Sequence, residues 1–175
     1  MHPDFKELLS IFNDENVKYL VVGGYAVSLH AQPRATKDLD IFIKPAKANA
    51  IALFRALAKF GAPLSGLQPD DFAERGSFFR MGTPPVMVDI LPEISGVDFD
   101  RAWRRRVMET IDAETGLRVP FISAADLIAA KEAAGRAQDL ADVEALRTAR
   151  GREQAAAQPK RGGVAGKRAP PKPSR

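Results

Sequence analysis

The sequence predicts an α/β (α+β) fold in which a mixed β-sheet is flanked by helices and followed by a C-terminal helical segment. Three observations support this prediction. Helical and strand patterns both occur along residues 1–150, but their order does not repeat as a regular βαβ series. No segment recurs as an internal repeat, and the last long pattern before residue 150 is helical.

The N-terminal part predicts a helix, a strand, a second helix and a second strand. Apolar residues at helical spacing open the chain, and a β-branched and aromatic run follows them. The pair Gly23-Gly24 ends that run. The predicted elements are a helix over 3–16, a strand over 17–22, a short helix over 25–31, a loop over 32–37 and a strand over 39–43 that Asp38 precedes.

A third helix is predicted over 46–60, where Gly61 stands at the position of a C-cap. Its expected apolar stripe consists of Ile51, Phe54, Leu57 and Ala58. Two strands follow, at 77–81 and 86–91, joined through 82–85. After them we expect a helix over 99–106 and a hairpin of 107–111 with 117–122. The last element is a helix that Ser123 caps and that runs to about residue 150, with a break near Gly135.

Composition excludes several classes of protein. The chain has 175 residues and no cysteine, so a disulfide scaffold, a zinc–thiolate site and a thiol nucleophile are all excluded. No apolar run approaches the roughly 18 residues that a membrane span needs. The N-terminus lacks the basic-then-apolar layout of a signal peptide, and we therefore expect a cytoplasmic protein with no membrane partner.

The net charge of +4 is unevenly distributed. Residues 151–175 carry seven basic residues and one acid, which leaves residues 1–150 at −2. We expect 1–150 to form one domain and 151–175 to be a disordered basic tail, because the tail is too poor in large apolar residues to build a core. The tail could bind RNA or DNA phosphates, or it could serve only solubility; both readings stay open.

Three aspartates form the first candidate site. Asp38 and Asp40 are two residues apart on one predicted strand, so they face the same side, and Asp89 lies in a second, otherwise apolar strand. If these strands are neighbours, the three carboxylates converge. Carboxylates of this kind hold Mg²⁺, and a two-metal site could then clamp an in-line displacement at phosphorus. Asp89 could also help take a proton from an acceptor hydroxyl.

The glycine pair is the second candidate feature. Gly23-Gly24 opens a helix, and the amides of such a turn suit the phosphates of a nucleotide. Ser28 lies one turn further on and receives only a weak phosphate role. Arg34 and Lys37 flank the aspartates and could neutralise phosphate charge.

Three segments carry a resemblance to a known family: Gly23-Gly24, residues 34–41 (Arg-Ala-Thr-Lys-Asp-Leu-Asp-Ile) and residues 88–91 (Val-Asp-Ile-Leu). They resemble the polymerase-β-type nucleotidyltransferase superfamily, and the Arg-x-Thr-x-Asp-x-Asp form is similar to the branch of AbiEii-type toxin nucleotidyltransferases. The C-terminal helix of that branch is matched here by residues 126–131 followed by Arg136, Asp139 and Asp142.

The resemblance implies a nucleotidyltransferase fold and a Mg²⁺-dependent transfer of a nucleoside monophosphate from a nucleoside triphosphate to a hydroxyl of RNA (tRNA) or protein. It also implies a toxin of a toxin–antitoxin system, with an antitoxin as partner. The implied catalytic and metal-binding residues are Asp38, Asp40 and Asp89. The implied nucleotide-binding residues are Gly23, Gly24, Ser28, Arg34, Thr36 and Lys131.

Less specific interpretations stay open beside this one. Many superfamily members have Gly-Ser where this chain has Gly23-Gly24, which removes one phosphate ligand. A glycine pair alone is more often a simple turn, and acids on a strand can merely discourage edge pairing. The alternative function is a catalytically inactive nucleotide-binding or regulatory module with the same fold.

Overall fold

The computed structural model describes residues 1–33 and 35–157. Its helices and strands follow the predicted order. The helices are α1 (Pro3–Asp14), α2 (Gly23–His30), α3 (Lys47–Phe60), α4 (Phe99–Arg104), α5 (Ala124–Ala134) and α6 (Ala137–Ala157), with a short 3₁₀ helix over Pro69–Ala73. The strands are β1 (Tyr19–Val21), β2 (Asp38–Ile43), β3 (Phe79–Thr83), β4 (Val86–Leu91), β5 (Val107–Asp112) and β6 (Leu117–Phe121).

The six strands form one mixed sheet in the order β3-β4-β2-β1-β6-β5. β2 pairs with β4 in parallel and with β1 in antiparallel orientation, while β1 pairs with β6 in parallel. The outer pairs β3–β4 and β5–β6 are antiparallel hairpins. The predicted mixed sheet with flanking helices is therefore confirmed.

Successive side chains of β2 point to opposite faces of the sheet, so that one face belongs to the core and the other to the site. Leu39 and Ile41 are completely buried on one face. On that side Phe79 contacts Phe72, which in turn contacts Phe54 of α3. The opposite face carries the aspartates and, further along β2, Phe42, which meets Phe99 of α4 edge to face. The sheet thus presents its acids toward the side on which α4 lies.

The packing of α3 differs from its predicted stripe. Ile51 is 41% exposed and Ala58 is also exposed, whereas Leu57 is buried as expected. The fully buried positions include Ala50, Leu53 and Ala56. The small alanines allow the helix to lie close to its neighbours, so volume rather than apolar character alone decides which face turns inward. Gly61 ends the helix with a left-handed backbone (φ +85°), as predicted.

The predicted break in the C-terminal helix is present. Ser123 caps α5 by accepting the Asp126 amide at 3.2 Å, and Gly135 ends the helix with φ +66°. α6 then continues through Ala157, seven residues past the expected domain end. The rest of the predicted tail, 158–175, lies outside the described residues. None of the described helices is long and apolar enough to cross a membrane.

Candidate active site

The first element of the site is a row of aspartates across two parallel strands. Asp40 of β2 stands directly opposite Asp89 of β4, and Asp38 precedes Asp40 by two residues on the same face. The adjacency of the two strands, on which the sequence argument depended, is therefore present. Asp89 is buried, Asp40 is partly buried and Asp38 is exposed.

The glycine pair lies directly against this row. Gly23 has φ +60°, and a Cβ added there would overlap the carboxylate of Asp40. The Gly24 amide donates a hydrogen bond to the same carboxylate, and the Val22 amide donates to the Asp40 carbonyl oxygen at 2.9 Å. The turn is therefore fitted to Asp40, and only glycine suits position 23.

The environment of Asp40 disfavours its ionised form. Burial first, and then the charges of Asp89 and Asp38, raise its pKa to about 6. The Gly24 amide and the charge of Lys131 offset only part of this effect. Carboxylates that repel one another in a partly buried position are typical of a site completed by a cation.

Arg80 is the residue that the sequence reasoning missed. It stands opposite Asp89 in the β3–β4 hairpin, and its Nε and Nη2 each lie 2.6 Å from one oxygen of that carboxylate. This pairing raises the pKa of the Arg80 guanidinium. We call Arg80 together with Asp38, Asp40 and Asp89 the sheet cluster. No signal in the sequence indicated this pairing, because the register of the β3–β4 hairpin, in which Thr83 pairs with Val86, brings residue 80 opposite residue 89.

Lys131 lies in a second cluster, between α5 and α6. Its ammonium contacts Asp139 at 3.0 Å and Asp142 at 2.7 Å, and the side chain is almost fully buried. Arg136 pairs with Asp139 from the solvent side at 2.6 Å. Burial alone would raise the pKa of Asp139, but hydrogen bonds from Arg136 and Lys131 outweigh it and lower that pKa. We call these four residues the helix cluster.

One cavity is lined by members of both clusters, with Asp40 as the lining residue of the sheet cluster. It has a volume of about 270 Å³. Its wall contains Gly23 and Asp40 on one side and Lys131, Arg136 and Asp139 on the other. Between them lies an apolar lining of Val22, Leu91, Ile94, Leu127, Ala130 and Ala134, with Glu93 and Ser95 at its polar part. The predicted residues Gly23, Asp40 and Lys131 therefore face one shared space.

The other predicted nucleotide-binding residues lie around this space or outside it. Thr36 donates from its hydroxyl to the Asp38 carbonyl oxygen at 3.4 Å, which braces the start of β2. Ser28 is half-buried one turn into α2 and is not among the residues that line the cavity. Arg34 lies outside the described residues.

A comparison with protein families identifies the family of the chain. Residues 4–149 match the family "Nucleotidyltransferase of unknown function (DUF6036)". The chain belongs to this nucleotidyltransferase family. The expected superfamily is thereby confirmed, and the protein is a nucleotidyltransferase, an enzyme class that moves nucleoside monophosphates. No curated protein matches the chain.

Solved structures show the same fold as this DUF6036 nucleotidyltransferase. The lincosamide antibiotic adenylyltransferase LnuA, solved with lincomycin bound, shares 16% identity with a TM-score of 0.55, over 85% of this chain and 98% of LnuA. The antibiotic-resistance factor ANT(2'')-Ia shares 15% identity with a TM-score of 0.51, over 87% of this chain and 84% of that protein. These similarities concern the fold alone.

Nucleotidyltransferases of this fold generally use divalent metal ions, so the donor set of the DUF6036 protein is relevant. Asp38 and Asp40 offer the hard carboxylate oxygens that such ions prefer, and burial, followed by the charges of Asp89 and Asp38, raises the pKa of Asp40. Asp89, in contrast, has both oxygens paired with Arg80. Within residues 1–33 and 35–157, no three His, Asp or Glu side chains are arranged so that they could hold a metal ion. The donor chemistry fits a cation at Asp38 and Asp40.

Proposed function

We propose that the protein transfers a nucleoside monophosphate from a nucleoside triphosphate onto a hydroxyl group, with a Mg²⁺ ion held by Asp38 and Asp40. The observation that carries this proposal is the contact between the glycine turn and Asp40 beside Asp89. It joins a helix N-terminus suited to phosphate with carboxylates suited to a cation. When bound, the ion would supply positive charge to the phosphates of the donor.

The residues of the chain would act on the two reacting groups. The acceptor hydroxyl oxygen bonds to the α-phosphorus, the bond from that phosphorus to the oxygen bridging to the β-phosphate breaks, and pyrophosphate leaves. Asp89 is our candidate for receiving the hydroxyl proton, because it stands opposite Asp40 and Arg80 holds its carboxylate in place.

Cationic groups on the helix side would face the triphosphate. Arg136 is 78% exposed and lines the cavity, so its guanidinium can contact phosphate while it stays near Asp139. Lys131 lines the same cavity but is already paired with two carboxylates, so its contribution to nucleotide binding would be long-range charge and rigidity. The amides at the start of α2 would add to these contacts.

The acceptor determines the biological role. The likeness to AbiEii-type proteins suggests a hydroxyl of RNA (tRNA) or protein as the acceptor. It also suggests that the protein is the toxin of a toxin–antitoxin pair, with an antitoxin as its partner. LnuA is an adenylyltransferase of lincosamide antibiotics, so small hydroxylated molecules belong in the same test.

The experiment is a transfer assay with each labelled nucleoside triphosphate, Mg²⁺ and three acceptor pools: total tRNA, total protein and a lincosamide. We expect label in one pool, and a loss on the order of 10³-fold in the Asp38→Asn plus Asp40→Asn variant, because both ligands of the cation are gone. Asp70→Asn, an exposed aspartate of the 3₁₀ helix, is the matched control and should retain activity. Full transfer by the double variant would contradict the assignment.

A second candidate is a nucleotide-binding module without turnover. The internal ion pairs of Asp89 and Lys131 favour it, because both residues already have protein partners. Nucleotide binding that depends on Asp40, without transfer to any of the three pools, would support this candidate over the enzyme.

A further inference from the structure

The pairing of Arg80 with Asp89 has consequences for how many cations the site can hold. Arg80 engages both oxygens of Asp89 in a fork-to-fork pair at 2.6 Å. Bidentate pairs of this type are the strong form of the arginine–carboxylate contact. Asp89 is only 8% exposed, and a buried carboxylate without a partner is strongly unfavourable. Asp89 therefore needs a cation, and Arg80 already supplies one.

The position of Arg80 continues the row of aspartates. Across the sheet, Arg80, Asp89 and Asp40 occupy directly paired positions on β3, β4 and β2. The charges of Asp38 and Asp40 also act on the guanidinium. Arg80 thus holds both oxygens of Asp89 from β3, the strand on the far side of β4 from Asp40.

The charge balance of the sheet cluster favours one bound divalent cation rather than two. The sheet cluster contains three carboxylates and one guanidinium, which leaves two negative charges when all are ionised. One divalent cation neutralises this remainder. Two divalent cations beside Arg80 would leave a net positive cluster. The helix cluster does not alter this balance, because its two cations and two carboxylates cancel.

A neighbouring aromatic ring helps to hold the arginine. Phe78 lies two residues before Arg80, and the guanidinium carbon is 5.6 Å from the centre of its ring. The Arg80 side chain is 54% exposed, so the pair lies at the open edge of the sheet and remains accessible from solvent. The strand register therefore sets the position of Arg80, and contacts with Asp89 and Phe78 hold its side chain.

We propose that Arg80 is a built-in cation of the active site, a positioning residue that holds Asp89 and takes the place of a second divalent ion. The site then binds one divalent cation, through Asp38 and Asp40. This inference rests on the proposed cation site, and it differs from the two-metal, three-carboxylate site that the sequence alone suggests. Removal of Arg80 should free Asp89 as a ligand and create the second site.

The test counts bound Mn²⁺ by electron paramagnetic resonance and by anomalous scattering from soaked crystals of the full chain. We expect one Mn²⁺ in the wild type, two in Arg80→Gln, and one again in Arg80→Gln plus Asp89→Asn. Arg75→Gln is the matched control, because it removes an equal charge from an exposed loop before β3 and should leave the count at one.

Two Mn²⁺ ions in the wild type, or a single ion in a folded Arg80→Gln variant, would overturn the inference. If Arg80→Gln does not fold by circular dichroism, Arg80→Lys provides the second measurement. The lysine keeps the positive charge but not the bidentate geometry of the guanidinium, and we expect one bound Mn²⁺. Two bound Mn²⁺ ions in this variant would contradict the role of the charge. Asp38→Asn should abolish Mn²⁺ binding, and its failure to do so would refute the proposed cation site. Nucleotide transfer is measured separately, so its absence would leave the Arg80 result intact.

Discussion

The sheet cluster and the helix cluster both reach one cavity, through Asp40 on one side and Lys131 on the other, but they differ in charge balance and in burial. In the helix cluster each carboxylate has a cation within 3.0 Å, and Lys131, Asp139 and Asp142 are buried. In the sheet cluster Arg80 is paired with Asp89, and burial together with the charges of Asp89 and Asp38 raises the pKa of Asp40 to about 6. A balanced buried cluster holds helices together, whereas an unbalanced one retains the capacity to bind a cation.

This contrast is tested most severely by Lys131→Met. The variant leaves Asp139 and Asp142 buried without their ammonium partner, and we expect a loss of ~3–5 kcal/mol in the free energy of unfolding. Urea denaturation measures it. Lys44→Met breaks the exposed pair with Asp100 and is the matched control, with an expected cost below about 1 kcal/mol. Equal losses in the two variants would show that the helix cluster is not a structural unit.

The sheet cluster should respond in the opposite direction. Asp40→Asn removes a charge that burial and Asp89 disfavour, so at pH 7.5 we expect the free energy of unfolding to rise by about 1–2 kcal/mol. Because the folded protein binds a proton at Asp40 as the pH falls through about 6, the wild type recovers this stability in acid. The gap between variant and wild type should therefore shrink toward pH 4.5. Thermal unfolding across this range checks the sign, and a gap that widens in acid would contradict it.

The smallest effect should come from Arg136, which belongs to the helix cluster but is exposed. Arg136→Gln should change the free energy of unfolding by less than about 1 kcal/mol, because exposed ion pairs contribute little. Its position in the cavity wall predicts a rise in KM for the nucleotide, on the order of tenfold at most, with kcat nearly unchanged. Steady-state kinetics would separate this result from a purely structural role, in which KM would stay constant.

Much of the fold follows from local patterns in the sequence. The glycine pair, the Asp-x-Asp strand and the capped C-terminal helix with its break at Gly135 are all present. The inward face of α3 could not be read from apolar residues alone, because Ile51 is large and apolar but exposed, while Ala50 and Ala56 are buried. Closeness of packing, which depends on the partners of a helix, decided this face.

The partners of the charged residues were harder to predict. A four-residue connection over 82–85 would place Phe78 opposite Asp89, but Thr83 pairs with Val86 and thereby brings Arg80 to that position. Lys131 matched a family pattern, yet the return of α6 toward α5 gives it two carboxylate partners. Both contacts depend on a register or a turn that sequence spacing does not specify.

The fit of Gly23 against Asp40 has a mechanical consequence. The turn that would receive phosphate and the carboxylate that would receive a cation share a hydrogen bond and a contact with no room for a side chain. A displacement of either group must therefore displace the other. Binding of a nucleotide at the turn and binding of a cation at Asp40 would therefore be coupled.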